Sequence, residues 1–161
     1  MYPCTASIDH LLIRKVIMFR RATLATAVTV AALAIPLAST PASAAETSSC
    51  GVMMYPAFRA TGFGSWSYQS KTVMKPVELN VTDTYGDGYA VGIRLRTQRL
   101  DGSIHNWTWH KNTDGHGKTS QFVSSATDSG HIVAASVQVG VFNGSKLLQS
   151  CYSDAIANPY T

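Results

Sequence analysis

The sequence is poor in the groups that usually perform catalysis or bind metal ions. Only 14% of its residues are charged, and Glu46 and Glu78 are its only glutamates. It has no Cys-x-x-Cys pair and no Gly-x-Ser-x-Gly segment, which are short motifs of redox or zinc sites and of α/β-hydrolases. These absences argue against most enzyme classes. We predict that the protein has no cofactor and no metal site.

The sequence also lacks an apolar run long enough to span a membrane. Its main apolar run, residues 24–35, has about a dozen residues, whereas a membrane-spanning helix needs about 20. Arg20-Arg21 precedes this run, and Ala42-Ser43-Ala44 follows it. A positive start, a short apolar stretch and a small-x-small cleavage site are typical of an export signal. We therefore predict a helical signal peptide at residues 18–44.

Removal of this signal would leave residues 45–161 as a secreted, extracellular protein. Met18 starts a conventional signal by itself, so we interpret residues 1–17 as an upstream extension created by a misassigned start. Residues 45–161 contain nine basic and eight acidic residues, which excludes the strongly basic surface of a nucleic-acid-binding protein. They are enough for one domain, with no segment that stays in the membrane. We expect a monomer.

Cysteines are few, and only two of the three belong to this secreted part. Cys50 lies near its N-terminal end and Cys151 near its C-terminal end. Two cysteines outside the cell usually pair, so we predict one disulfide between them. In the chain-entropy model, closing a loop of about 100 residues stabilises a protein by about 4–5 kcal/mol.

Residues 45–161 show the two-residue period of β-strands and no helical period. Apolar residues alternate with polar or small ones near 77–81, 89–95 and 133–141, which indicates half-buried strands. Asp101-Gly102 and Asn143-Gly144 indicate tight turns between strands. We predict an all-β fold, a single antiparallel β-sandwich, with a small β-barrel as the alternative. The predicted strands lie at 53–60, 75–83, 89–99, 104–110, 119–126, 132–142 and 146–152.

The hairpin around Asp101-Gly102 decides where two tryptophans point. A two-residue loop places Trp107 and Trp109 on the outer face of the sheet. Arg94 and Arg96 then lie opposite these rings, and the four side chains form an exposed aromatic platform flanked by guanidinium groups. Each cation–π contact in such a platform contributes about 0.5–1 kcal/mol.

A three-residue loop, Leu100-Asp101-Gly102, gives the opposite result. Leu95 then faces Trp107, Ile93 faces Trp109, and both rings become part of the core, because a one-residue shift moves every side chain to the other face. A buried indole removes about 150–250 Å² from water, which outweighs a few cation–π contacts. We therefore favour the core position, and the platform remains the alternative.

The aromatic residues suggest a binding function. Trp66 and Tyr68 lie in a Gly/Ser-rich segment, residues 62–70, that we predict to be a loop. Flat rings at a surface stack on sugar rings. We therefore interpret the protein as a secreted, non-enzymatic binding module for a carbohydrate or an extracellular protein. The candidate ligand-binding residues are Trp107, Trp109, Arg94, Arg96, Trp66 and Tyr68.

The alternative function is a small secreted hydrolase, toxin or enzyme inhibitor. A hydrolase would need a histidine hydrogen-bonded to an aspartate in a pocket. The candidate histidines are His105, His110, His116 and His131. Zinc is not expected, because His105 and His110 are five residues apart and point to opposite faces of a strand. Asp83 and Asp87 lack the further ligands of a calcium loop.

Several short segments carry a family resemblance. The segment Trp109-His110-Lys111-Asn112, the following Gly115-His116-Gly117 and the C-terminal Asn158-Pro159-Tyr160 resemble small secreted proteins of actinomycetes. In those proteins a hairpin with an Asp-Gly turn precedes the tryptophan segment. The resemblance implies an actinomycete source and an extracellular location. It implies no activity and no functional residue.

Overall fold

The computed structural model describes residues 44–161. The predicted upstream extension, residues 1–17, and all but the last residue of the predicted signal peptide, residues 18–44, lie outside the described residues. Residues 44–161 form two antiparallel sheets, which confirms the predicted all-β sandwich with one disulfide. None of the described residues forms a helix that could span a membrane.

The first sheet has four strands in the order β1-β2-β3-β7. They are β1 (Glu46–Met54), β2 (Ala57–Tyr68), β3 (Val73–Asp83) and β7 (Thr119–Thr127). The second sheet is centred on the pair β4 (Ala90–Gln98) and β8 (Ala134–Asn143). The short strands β5 (Ile104–Asn106) and β6 (His110–Lys111) pair with β4, whereas β9 (Lys146–Tyr152) and β10 (Ile156–Ala157) pair with β8.

The core lies between the two sheets and is built from alternate residues of the long strands. The second sheet contributes the inward side chains of β4 and β8, which are Val91, Ile93, Leu95, Val137, Val139 and Val141. The first sheet contributes side chains of β2 and β3, which are Trp66, Tyr68, Met74, Val77, Leu79 and Val81. The outward residues of β4 and β8 therefore form the opposite surface of the second sheet.

The beginning of the first sheet differs from the prediction. The predicted strand 53–60 spans the turn between β1 and β2, and most of the predicted loop 62–70 is the second half of β2. An added Cβ at the inward-facing Gly62 would lie 2.7 Å from Cγ2 of Val139, and one at Gly64 would meet a β8 side chain at 2.6 Å. The apolar alternation is missing because valines of β8 fill the space beside these glycines.

The predicted disulfide is present and closes one side of the sandwich. Cys50 in β1 is bonded to Cys151 in β9, with Cα atoms 6.1 Å apart. Gln149 of β9 also donates a side-chain hydrogen bond to the carbonyl oxygen of Met53 at 2.9 Å. The edge strand of the first sheet is therefore fastened to the edge strand of the second.

Candidate functional site

The hairpin after β4 has a three-residue loop and, further along its second strand, a β-bulge. Gln98 pairs with Ile104, and Gly102 has a positive φ of 83°, so the three-residue loop is the one formed. Continuous pairing would then place Ile93 opposite Trp109. Ile93 instead pairs with His110, so the pairing shifts by one residue within 107–109. This β-bulge reverses the direction of the side chains that follow it.

Trp107 points inward. Its ring packs against the core, and its Nε1–H donates a hydrogen bond to Oγ1 of the buried Thr97 at 3.2 Å. The ring of His105 lies 4.7 Å from it, centroid to centroid. Trp107 is therefore a structural residue at the edge of the core, and it does not belong to an exposed platform.

Trp109 points outward onto the other face of the second sheet. The guanidinium carbon of Arg94 lies 4.6 Å from the centre of its ring, and the ring of Phe142 meets it edge-on at 5.0 Å. The ring lies close to the backbone of β8, because an added Cβ at Gly140 would be only 3.0 Å from Cη2 of Trp109. A glycine at this position thus allows the indole to lie on the sheet.

Two further cation–ring contacts extend this surface. The guanidinium carbon of Arg96 lies 4.3 Å from the centre of the Tyr152 ring, and Nζ of Lys111 lies 4.6 Å from the centre of the Phe142 ring. Tyr152 is the most accessible of the rings, with 56% of its surface exposed. We call this surface the cation–aromatic face. Its members are Arg94, Arg96, Trp109, Lys111, Phe142 and Tyr152, of which Phe142 is itself buried, with 4% of its surface exposed.

Both arginines of the cation–aromatic face are held through Nε. Arg94 Nε–H donates to Oε1 of the buried Gln138 at 2.8 Å, and Gln138 in turn donates to Oγ of Ser150 at 2.9 Å. Arg96 Nε–H donates to Oδ1 of Asn106 at 3.1 Å. Within residues 44–161, the terminal Nη groups of Arg94 and Arg96 make no hydrogen bond. Each guanidinium is thus oriented while its terminal donors stay available.

The described residues contain two other arginines, and both are neutralised. Arg59 pairs with Asp87, and Arg99 pairs with Asp128 at 2.8 Å. In the same part of the chain, neither arginine of the cation–aromatic face has a carboxylate partner. Burial lowers the pKa of Arg94. The neighbouring Tyr152 opposes this shift, and the positive charge of Arg96 adds to it to a smaller extent. An anion on this face would relieve that repulsion.

Trp66 and Tyr68 are not part of a binding surface. Both lie in β2 instead of a loop, and both side chains are buried in the core. Tyr68 donates a hydrogen bond from its hydroxyl to the carbonyl oxygen of Ile156 at 2.7 Å, and burial raises its pKa to about 12. With Trp107, three of the six candidate ligand-binding residues are therefore structural. The loop prediction for Trp66 and Tyr68 is wrong because the glycine-rich sequence around them hides a strand.

A histidine–aspartate contact exists, but its hydrogen bonds are wrong for a hydrolase. Nδ1 of His105 lies 3.4 Å from Oδ2 of Asp128, and Nη2 of Arg99 lies 2.6 Å from the same Nδ1. Arginine can only donate, so Nδ1 accepts and the ring proton of a neutral His105 is on Nε2. A catalytic triad needs the opposite tautomer, with Nδ1–H donating to the aspartate.

The other histidines and aspartates do not form a metal centre. Within residues 44–161, no group of three His, Cys, Asp or Glu side chains could hold a metal ion. Asp83 accepts a hydrogen bond from the backbone N–H of Tyr85, and Asp87 accepts one from Tyr89. The two aspartates considered for calcium therefore organise the turn that contains them.

The asparagines that carry the family resemblance have structural roles. Asn112 donates from Nδ2 to the carbonyl oxygen of Lys118 at 2.8 Å and thereby closes the loop before β7. The buried Asn158 donates to the carbonyl oxygens of Ser70 and Ile132, at 3.0 and 2.7 Å. Both side chains donate to backbone carbonyl groups of other segments and so hold those segments together. These two asparagines therefore stabilise the fold.

Comparison with known proteins adds no function. No protein-family model matches the sequence, and no curated protein matches it. Among solved structures, this chain is similar to β-glucosidase 3B from Thermotoga neapolitana in complex with glycerol, with a TM-score of 0.30 and 12% identity. The match covers 65% of this chain and 18% of the enzyme. A likeness of this degree supports no inference about activity.

Proposed function

We propose that this protein is an extracellular, non-enzymatic binding module whose cation–aromatic face binds an acidic carbohydrate. The observation that carries the proposal is the state of Arg94 and Arg96. Their guanidinium groups are positioned by Nε hydrogen bonds and by aromatic rings, and their terminal nitrogens have no partner among the described residues.

The chemistry of the face fits a sugar that carries carboxylate or sulfate groups. A guanidinium group binds a carboxylate or a similar anion through two parallel hydrogen bonds. The exposed ring of Tyr152 beside Arg96 offers an apolar surface on which a sugar ring can stack. A neutral sugar would leave the arginine donors without partners, so an acidic sugar is the better match.

An extracellular location is supported by two features. The leader pattern of residues 18–44 is that of an export signal, and Cys50 and Cys151 form a disulfide, which persists in oxidising compartments. Acidic polysaccharides are abundant outside cells, so the proposed ligand and the proposed location are compatible.

The test compares two polymers that share a backbone. The purified protein is applied to immobilised dextran sulfate and to unmodified dextran, which carries no charge. We expect binding to dextran sulfate that weakens as the salt concentration increases. Arg96→Gln should weaken it by about tenfold, since a hydrogen bond to a charged group contributes about 1.5–3 kcal/mol.

Lys71→Gln is the matched control, because it removes the same charge from an exposed position outside the cation–aromatic face. It should bind like the unmodified protein. Equal losses in the two variants would mean that net charge alone causes the binding. Equal binding to dextran and dextran sulfate, or binding to neither, would also contradict the proposal.

A further inference from the structure

The edge strand β7 has an unpaired side. Asp83 donates its backbone N–H to the carbonyl oxygen of Lys118, and hydrogen-bonded residues alternate along an antiparallel pair. The intervening residues of β7 therefore direct their N–H and C=O groups away from β3. These residues are Thr119, Gln121, Val123, Ser125 and Thr127. Within residues 44–161, no hydrogen bond reaches these backbone groups.

This free edge lacks charges and prolines, two of the features that normally prevent pairing. Residues 119–127 contain no charged residue and no proline, and Val123 at their centre is 65% exposed. Natural proteins usually protect such an edge with charges, prolines, bulges or very short strands. Among the other edges of the sandwich, β5 and β6 are short, with three and two residues, and β1 is linked to β9 by the disulfide.

We propose that two copies of the chain pair antiparallel through β7, around a two-fold axis at Val123. In this register Val123 faces Val123 of the second copy, Gln121 faces Ser125, and Thr119 faces Thr127. All five unpaired residues of each strand then find a hydrogen-bonding partner, and no like charges meet. At the ends of the strand Lys118 falls opposite Asp128 of the second copy, whose buried carboxylate is already paired with Arg99 of its own copy.

An apolar groove beside β7 supports this pairing. The groove has a volume of about 210 Å³ and opens between β7 and the β-bulge. Its floor includes the core residues Leu79 and Leu95, and Trp107 lies at its side. A strand added to β7 would cover this opening, so apolar burial would accompany the new backbone hydrogen bonds.

The pairing has a consequence for binding. A two-fold axis between antiparallel strands is perpendicular to the sheet, so the cation–aromatic faces of both copies would point in the same direction. Both could then contact one polymer, which increases the overall affinity without new contacts. Only this consequence rests on the proposed function, because the pairing itself follows from β7. The pair replaces the monomer expected from the sequence.

The first test measures mass in solution by sedimentation equilibrium. We expect a concentration-dependent dimer of the purified protein. Val123→Lys would place two lysines opposite each other at the axis and should raise the dissociation constant by about tenfold or more. Thr61→Lys is the matched control, because it adds a lysine at an exposed position of β2, which is paired on both sides. It should leave the dimer unchanged.

The second test determines the register with cysteine variants. Hydrogen-bonded antiparallel partners have Cα atoms about 5.5 Å apart, within the range of a disulfide, so Val123→Cys should crosslink to its own copy under mild oxidation. Gln121→Cys lies on the same strand and face. In the proposed register its two copies are about 14 Å apart, too far to bond. This variant should remain uncrosslinked.

The results of these two tests decide the β7 pairing independently of the carbohydrate proposal. A monomer at all concentrations, a dimer that Val123→Lys leaves intact, or equal crosslinking of the two cysteine variants would overturn the β7 pairing. None of these results depends on dextran sulfate binding. Conversely, a dimer with the expected crosslink supports the pairing even if the carbohydrate proposal fails.

Discussion

The indole rings of Trp107 and Trp109 point to opposite faces of the second sheet, although only one residue separates them. Trp107 is hydrogen-bonded to the buried Thr97, whereas Trp109 is stacked with Arg94 on the outer surface. The extra residue of the β-bulge causes this separation, because uninterrupted alternation would place both rings on one face. The two tryptophans therefore have different roles.

Substitution of the two tryptophans should cause different losses of stability. Trp107→Ala removes a ring from the edge of the core and should lower the free energy of unfolding by about 3 kcal/mol. Trp109→Ala removes an outer contact and should lower it by about 1 kcal/mol, while weakening dextran sulfate binding because Arg94 loses its ring. Urea unfolding followed by far-UV circular dichroism measures both variants. Equal losses of stability would contradict the assignment of faces.

The glycines of β2 should not tolerate even a methyl group. Gly62→Ala would place Cβ 2.7 Å from the side chain of Val139 and 3.0 Å from the carbonyl oxygen of Asn80. Overpacking of this kind costs about 1–3 kcal/mol, measurable as a lower urea midpoint. Gly86→Ala is the control, because its new Cβ meets nothing closer than the His116 ring at 3.4 Å. Equal urea midpoints for the two variants would contradict the close packing around Gly62.

The disulfide should contribute strongly to stability. The double variant Cys50→Ser/Cys151→Ser frees a loop of 101 residues, so the expected loss is about 4 kcal/mol. This corresponds to a decrease of about 10 °C or more in the melting temperature. Calorimetry of the variant and of the reduced native protein should give the same decrease. An unchanged melting temperature after full reduction would rule out this contribution.

Tyr68 should make the protein sensitive to alkaline pH. Its pKa is raised from 10.0 to about 12, chiefly by burial, so the unfolded chain loses the phenolic proton first as pH rises. The resulting stability is complete below pH 10 and is lost between pH 10 and pH 12, by about 2–3 kcal/mol.

Urea unfolding between pH 9 and pH 12 tests this dependence. Tyr68→Phe should show a smaller decline over that range, although it costs about 1 kcal/mol at neutral pH through the lost hydrogen bond to Ile156. Tyr160→Phe, at an exposed position, should decline like the native protein. Parallel curves for all three proteins would argue against a role for Tyr68.

The strands that the sequence predicts are those whose inward residues are large. β4 and β8 show a regular alternation of valine, isoleucine and leucine, and their predicted bounds are close to the observed ones. β2 was not predicted, because Gly62 and Gly64 occupy inward positions and give no apolar signal. Position 62 must hold a glycine because the side chain of Val139, 77 positions away in the sequence, fills the space beside it.

The candidate site was predictable in part. The favoured core position is confirmed for Trp107, which the three-residue loop turns inward. It is wrong for Trp109, which a β-bulge without a signature in the sequence turns outward beside Arg94. Phe142 and Tyr152 were missed, because only the pairing of β4 with β8 and of β8 with β9 brings them to this surface. The open edge of β7 likewise depends on strand order, which local patterns do not specify.

The position of the Cys50–Cys151 crosslink limits how the protein can assemble. It lies at the flank of the sandwich opposite β7, where it holds β1 against β9, and the proposed pairing uses the opposite flank. Once two molecules have joined along β7, neither has a free β7 edge for a third. In the proposed dimer the two-fold symmetry uses the β7 edge of both copies, so association through β7 ends with a closed pair and does not propagate into a fibre.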